Sequence, residues 1–315
     1  MNKLENKSSN NYQPIGEVDL MEIFNIIWES KIFIVIFTTI FALITILYSL
    51  NIPNYYTSKS VVIARDSQNQ SSFSQYSGLA SLAGVSIPSS NDRSVHEVIE
   101  IIQSREFVKH LIKFDKVLPS IIAAESYETS SQKLYFDPEV YDANTETWTR
   151  EPSINRSSRP SHLEAHKQYI DNMLSLSLDQ KKGLIFIEIE HISPIFAKNF
   201  LELVIREANS LNKAIDIDSS SKALNYLKAQ LAETSLVEIK KSINQLIEAQ
   251  LETQMMASIH DEYSLISLEP PFVPEDKTRP SRSFMVIVGS LLGGLLSVFF
   301  VLMRYFLFNK GTENT

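Results

Sequence analysis

The side chains whose types and spacing could do chemistry fall into a few small groups. His162 and His166 lie four apart with Glu164 between them, so on a helix both imidazoles would share a face, as in a zinc hydrolase. The order is not H-E-x-x-H and no third ligand is evident, so solvated helix-surface histidines are the expected reading. Glu188 with Glu190, and Asp216 with Asp218, are carboxylate pairs that glycoside chemistry would use as acid and base. At i, i+2 spacing such pairs are more often a wet surface than a site. Arg150, Arg156 and Arg159 would suit anionic sugars or lipid headgroups, with loop solvation as the plainer reading. No glycine stands before lysine in a P-loop pattern, and the chain has no cysteine, which removes thiolate ligands, disulfides and a cysteine nucleophile. No catalytic, cofactor or metal site is expected, and the chain reads as a non-enzyme.

The 315 residues carry a net charge of -8 and a pI near 5.4. The broad positive field needed by a nucleic-acid partner is missing. The elements that would position any site begin with two apolar blocks. Ile32 to Leu50 (IFIVIFTTIFALITILYSL) has no charge and approaches the roughly 20 residues that cross about 30 Å of hydrocarbon as a helix. Glu17, Asp19, Glu22 and Glu29 before it, and Asn51-Ile52-Pro53 after it, are unlike a cleaved signal. Phe284 to Met303 (FMVIVGSLLGGLLSVFFVLM) is the second span, closed by Arg304. Gly289, Gly293 and Ser297 recur every four residues, as do Ser290 and Gly294, giving a face of small side chains for close helix packing. Both termini then lie on one side. Lys31 and Lys310 flank the outer ends while Lys277, Arg279 and Arg282 crowd the second span, so charge alone leaves orientation undecided.

Between the spans, Asn54 to Ala64 reads as a strand. Ser67 to Arg93 reads as a polar surface segment around an apolar centre, Gly78 to Gly84. Val95 to Phe114 has the spacing of one amphipathic helix. Pro119 to Pro160 shows no sustained period. His162 to Ser175 reads as a helix, and Ser177 to Glu190 as a hairpin turning at Asp179 to Gly183, with Ile185, Ile187 and Ile189 on one face. Ser193-Pro194 starts a long helical region, which Ile215 to Ser221 is expected to weaken. Run straight to His260 it would reach roughly 100 Å, so a helical hairpin is expected, with Ser235-Leu236-Val237-Glu238 as a capping box for its returning arm.

The end motifs resemble the chain-length determinant family, the Wzz-type polysaccharide co-polymerases. The likeness rests on Glu17-Val18-Asp19-Leu20-Met21-Glu22-Ile23-Phe24 and Pro53-Asn54-Tyr55-Tyr56, and on the proline-rich entry Pro270, Pro271, Pro274 and Pro280 before Gly289 to Gly294. Gly78 to Gly84, Ala223 to Leu231 and Met255-Met256-Ala257 are also similar. The resemblance implies an α+β periplasmic domain with a mixed α/β base and a protruding long helical hairpin, flanked by two transmembrane helices. Its segments would be 1–31 and 309–315 as cytoplasmic tails, 32–50 and 284–308 as spans, and 51–283 as the periplasmic domain, with base 54–192 and 261–283 and helical arm 193–260. It implies a bacterial inner-membrane protein that needs no cofactor and sets the modal length of O-antigen or a related surface glycan. Its partners would be itself in a homo-oligomeric ring, the membrane O-antigen polymerase, undecaprenyl-linked polysaccharide and the lipid bilayer. The absence of a nucleotide-binding domain favours the kinase-free lipopolysaccharide branch. Other readings are an adaptor for capsule or exopolysaccharide export with a separate tyrosine kinase, a sensory receptor, and a membrane-bound glycan enzyme.

Overall fold

A computed structural model describes residues 20–64, 90–154 and 156–309. The expected patch Gly78–Gly84, the motif residues Glu17 to Asp19 and the last six residues lie outside these. The chain divides into a helical unit, residues 1–52 with 280–315, and a mixed α/β unit, residues 53–279.

In the helical unit, α1 (Leu20–Glu29) leads through Ser30 into α2 (Lys31–Asn51), and α2 packs against the C-terminal helix Arg282–Asn309. Both longer helices are long and apolar enough to cross a membrane. Their contact is set by small residues. A Cβ on Gly289 would come within 2.8 Å of Thr45 Cβ, and one on Gly293 within 2.6 Å of Phe41 Cβ, whereas at Gly294 the nearest atom is Thr38 Oγ1 at 3.8 Å. Gly289 and Gly293 are thus required by close approach, and Gly294 is not. Ser297 is fully buried and donates its hydroxyl to Gly294 O at 2.7 Å, which keeps a polar group in an apolar setting paired.

The α/β unit is built on an antiparallel sheet. Its strands are β1 (Tyr56–Ala64), β6 (Leu174–Asp179), β7 (Leu184–His191) and β8 (Leu265–Glu269), in the order β6-β7-β1-β8. Alternation in β7 aims Ile185, Ile187 and Ile189 into the core beside Val62, as the period-2 pattern predicts. The turn between β6 and β7 uses Gly183 at φ +67, a left-handed position that favours glycine.

Covering the inner face are α3 (Ser90–Gln103), α4 (Arg105–Leu111), α5 (Val117–Ile122), α6 (His162–Gln168) and the first turns of α7 (Pro194–Glu233). The single helix expected from Val95 to Phe114 is two, because Ser104 takes extended backbone and caps α4 by accepting from Phe107 N at 3.1 Å. The helix expected to reach Ser175 ends at Gln168, passes through a wide turn Tyr169–Met173, and gives way to β6 at Leu174. Pro119 to Pro160 is not featureless. After α5 come two small hairpins, β2 (Ala124–Glu128) with β3 (Lys133–Phe136) and β4 (Tyr141–Asp142) with β5 (Thr147–Trp148). The rings of Phe136, Tyr141 and Trp148 join them, Tyr141 meeting Phe136 edge to face and Trp148 at a tilt. Their turns place Gln132 and Glu146 at positive φ and are held by the carboxylates of Glu128 and Asp142 accepting from nearby hydroxyls.

Helix α7 opens as its sequence predicts, with Ser193 Oγ accepting from Phe196 N at 3.2 Å and proline in the first turn. It then runs unbroken through Ile215 to Ser221. Packing outweighs weak propensity there: Ser220 is buried, Gln254 reaches Ser221 Oγ at 2.8 Å, and Lys222 pairs with Asp218. The returning helix α8 (Val237–Ile259) starts with Leu236 at its N-cap. Ser235 therefore sits one residue too early to close the expected capping box.

Two predictions follow from this packing. Buried His191 donates from Nε2 to Ser120 O at 2.9 Å and accepts at Nδ1 from Ser193 N at 3.0 Å, so it is neutral and joins α5 to the start of α7. Burial pushes its pKa down to about 4 from 6.5. A lowered histidine pKa contributes stability above about 6.5 that is lost as pH falls towards 4, on the order of 3 kcal/mol when complete. Chemical unfolding of wild type and His191→Gln in detergent should converge in stability across that window. In the helical unit, an engineered Thr38→Cys/Gly294→Cys pair, the protein's only cysteines, should crosslink α2 to the C-terminal helix. The yield should fall severalfold on adding Gly293→Leu and stay unchanged on adding lipid-facing Leu292→Ala, read by whether the fragments remain joined after proteolysis between the spans.

Candidate functional site

Several of the side chains that could have done chemistry are tied to neighbours. Glu164 does not serve a metal between His162 and His166. Its carboxylate takes both terminal nitrogens of Arg150 at 2.7 and 3.0 Å and completes a capping box with Ser161 at the start of α6. The Arg150 bond is the main reason that the Glu164 carboxyl sits below its ordinary range. Arg150 also donates to the carbonyls of Ser157 and Ser158. It is a half-buried clamp that closes the loop before α6, not a solvated cation. His166 Nε2 lies 2.8 Å from Gln103 O, so it joins α6 to α3. Among the described residues no group of three or more histidines and carboxylates could hold a metal ion.

The strand carboxylates are likewise paired. Glu188 meets Lys59 on the adjoining strand at 2.9 Å. Glu190 is largely covered and accepts both Nε and Nη2 of Arg279. The expectation of a wet surface fails at Glu190 because its partner lies far away in sequence, where local spacing gives no sign of it. Asp216 accepts from Tyr263 OH at 2.7 Å, which joins α7 to the segment leading into β8, while Asp218 pairs with Lys222 at 2.6 Å.

The proline-rich segment is the most elaborate local construction. Beyond β8, Pro270, Pro271, Pro274 and Pro280 lack N–H groups, so the backbone around them cannot extend an ordinary ladder. Side chains of β1 supply the missing bonds: Ser60 Oγ donates to Glu269 O at 2.7 Å and Ser58 Oγ to Phe272 O at 2.8 Å, both hydroxyls being buried. Pro274 is buried whereas Phe272 and Val273 are exposed. At the end of the segment Tyr55 N donates to Arg279 O, and Thr278 N donates to Tyr55 O, each at 2.8 Å. Arg279 then places its side chain on Glu190. Ser58 and Ser60 were not singled out in sequence; the signal that could have found them is two small hydroxyls at i, i+2 on one face of an otherwise β-branched strand.

The tightest apolar joint is in the helical unit, where Gly289, Gly293 and Ser297 face α2. Asn209 makes the central polar joint of the α/β unit. It is buried, accepts at Oδ1 from the backbone N–H of Ser264 and Leu265, and donates to Leu265 O, so it sets where β8 begins. These joints position elements; none has the geometry of a catalytic constellation.

Residues 16–113 match the family model described as Wzz, chain length determinant protein. A solved structure described as a full-length bacterial polysaccharide co-polymerase is similar over 93% of this chain and 100% of its own, at 13% sequence identity and a TM-score of 0.42. No curated protein gives a significant match. The matched residues run from just before α1 through the first apolar helix and β1 to the end of α4. Over residues 16–113 the chain is therefore similar in sequence to the Wzz chain length determinant family.

Proposed function

We propose that this protein sets the modal chain length of O-antigen or a related surface polysaccharide without itself catalysing a reaction. The carrying observation is the family match over residues 16–113. The two apolar helices and that match fit an inner-membrane protein. On this reading both tails are cytoplasmic and 51–283 is periplasmic, with its base at 54–192 and 261–283 and its helical arm at 193–260. Copies of the chain assemble side by side, and the assembly works with the polymerase on undecaprenyl-linked glycan.

What supports a non-catalytic role is that the candidate acids and bases are committed to ion pairs and caps. A length regulator needs no reacting group. It needs many weak contacts held at high effective concentration, which a closed assembly of identical subunits provides. Gly289, Gly293, Gly294 and Ser297 are proposed as the packing face of the second span. Pro270, Pro271, Pro274 and Pro280 are proposed as a stiff lead into it.

Deleting the gene should abolish the modal band of surface polysaccharide on a gel while short and irregular polymer persists, and the plasmid-borne gene should restore the band. Complete loss of polymer would instead assign the protein to export or synthesis. A reporter fused after Thr315 should be active only in the cytoplasm; periplasmic activity would overturn the proposed topology.

A further inference from the structure

Helix α1 belongs by sequence to the tail preceding the first span, yet beside exposed Asn25 and Glu29 it shows solvent three large apolar side chains. Met21, Phe24 and Trp28 are exposed by 66%, 58% and 60%, while Ile26 on the opposite side is buried. The helix is not hinged away from α2. Ser30 keeps near-helical backbone (φ -91, ψ 10), Ser30 N donates to Ile26 O, and Ile34 N donates to Ser30 O, each at 3.1 Å. The two helices form almost one rod, about 48 Å long at 1.5 Å per residue, against a hydrocarbon core of about 30 Å.

The register across Ser30 carries the inference. Met21, Phe24, Trp28, Ile32, Val35, Thr39 and Leu43 fall on one stripe of that rod at three- and four-residue steps, and all are exposed. The outward face of α1 is therefore the direct continuation of the lipid-facing side of α2. Lys31 marks the level where hydrocarbon should end, and its ammonium lies 4.7 Å from the centre of the Trp28 ring, a snorkelling cation held beside an aromatic ring. The last turns of the C-terminal helix pack on α1. There Arg304 ends the uncharged run, and Tyr305, Phe306 and exposed Leu307 follow it. Aromatic rings beside cations, just past the apolar stretch of both helices, have the composition of a membrane-interface belt.

We infer that α1 is a membrane-interface anchor whose Phe24 and Trp28 rest in the phospholipid headgroup layer, and that it is not a solvated tail. This rests on the reading of α2 and the C-terminal helix as spans. The anchor fixes the depth and rotation of the first span, because the rod cannot turn about its axis without lifting the Phe24 and Trp28 face out of the interface.

The chain has two tryptophans, so Trp148→Phe leaves Trp28 as the sole reporter. The full-length variant is reconstituted, at about one chain per vesicle, into phosphatidylethanolamine and phosphatidylglycerol vesicles and floated after alkaline extraction. Flotation failure would reject the membrane reading itself, and with it the anchor. In floated protein, phospholipid brominated near the headgroup end of its chains should quench Trp28 severalfold more than phospholipid brominated at the chain ends, and aqueous acrylamide should quench it weakly. Strong acrylamide quenching without lipid quenching would overturn the anchor in favour of a solvated helix. Insensitivity to both quenchers would overturn it in favour of a protein surface covering α1. If Trp148→Phe fails to fold, subtracting the Trp28→Phe spectrum from wild type reads the same quantity.

Discussion

The α/β unit depends on one constraint: its chain must end beside where it began. Tyr55 and Arg279 meet that constraint by exchanging backbone hydrogen bonds, with Thr278 N also donating to Tyr55 O. Everything between them is a single closed excursion. β1 starts at this closure and becomes a central strand, with β7 on one side and β8, the last strand formed, on the other. A central strand made from the first segment and an edge strand made from the last give the sheet long-range pairings that form late in folding, because loop-closure entropy must be met first. The Arg279 to Glu190 ion pair adds a third strand to the same closure. Such a partly exposed pair contributes modestly to stability. Its value lies in orientation, since a bidentate contact fixes the guanidinium plane. Within the helical unit the glycine-lined contact of α2 with the C-terminal helix brings the same two ends of the chain together.

Buried and half-buried polar groups are used as joints, and they explain why the long helices hold their registers. Asn209 pins the first residues of β8, Tyr263 meets Asp216, and Gln254 reaches Ser221 on the facing helix. An apolar stripe between antiparallel helices allows neighbouring registers of similar energy. A buried donor or acceptor does not, because a shift leaves it unpaired at a cost of about 1–3 kcal/mol. His191 acts likewise at the other end of α7, where its neutral ring bridges Ser120 and Ser193.

Much of this was legible in sequence wherever a pattern is local. The uncharged runs, the alternation of Ile185, Ile187 and Ile189, and the Ser193-Pro194 start each declare themselves within a few residues. Illegible features depend on partners far away or on side chains that replace a periodic signal. Glu190 looks like a surface carboxylate until Arg279 arrives across 89 positions. The hairpins between Ala124 and Trp148 have strands too short for a period, and aromatic ring contacts with carboxylate-held turns stand in for it. Ser104 breaks a helix whose apolar spacing is uninterrupted, because a serine that accepts from the third following N–H is as good a start as an interior residue. The glycines of the second span were visible as a pattern, but only geometry separates Gly289 and Gly293, which admit no Cβ, from Gly294, which does.

The helical hairpin gives the proposed assembly a physical rationale. Two antiparallel helices can bury only the stripe that each turns to the other, here around Leu224 and Ile243. Leu246, Leu251, Met255 and Ile259 on α8 remain exposed, and they are too many to count as the scattered apolar residues of an ordinary surface. A third helix from the same chain would cover them, but none of the described residues supplies one. Side-by-side copies would, and on the proposed reading a head-to-tail arrangement that closes into a ring would bury the α8 face in every subunit.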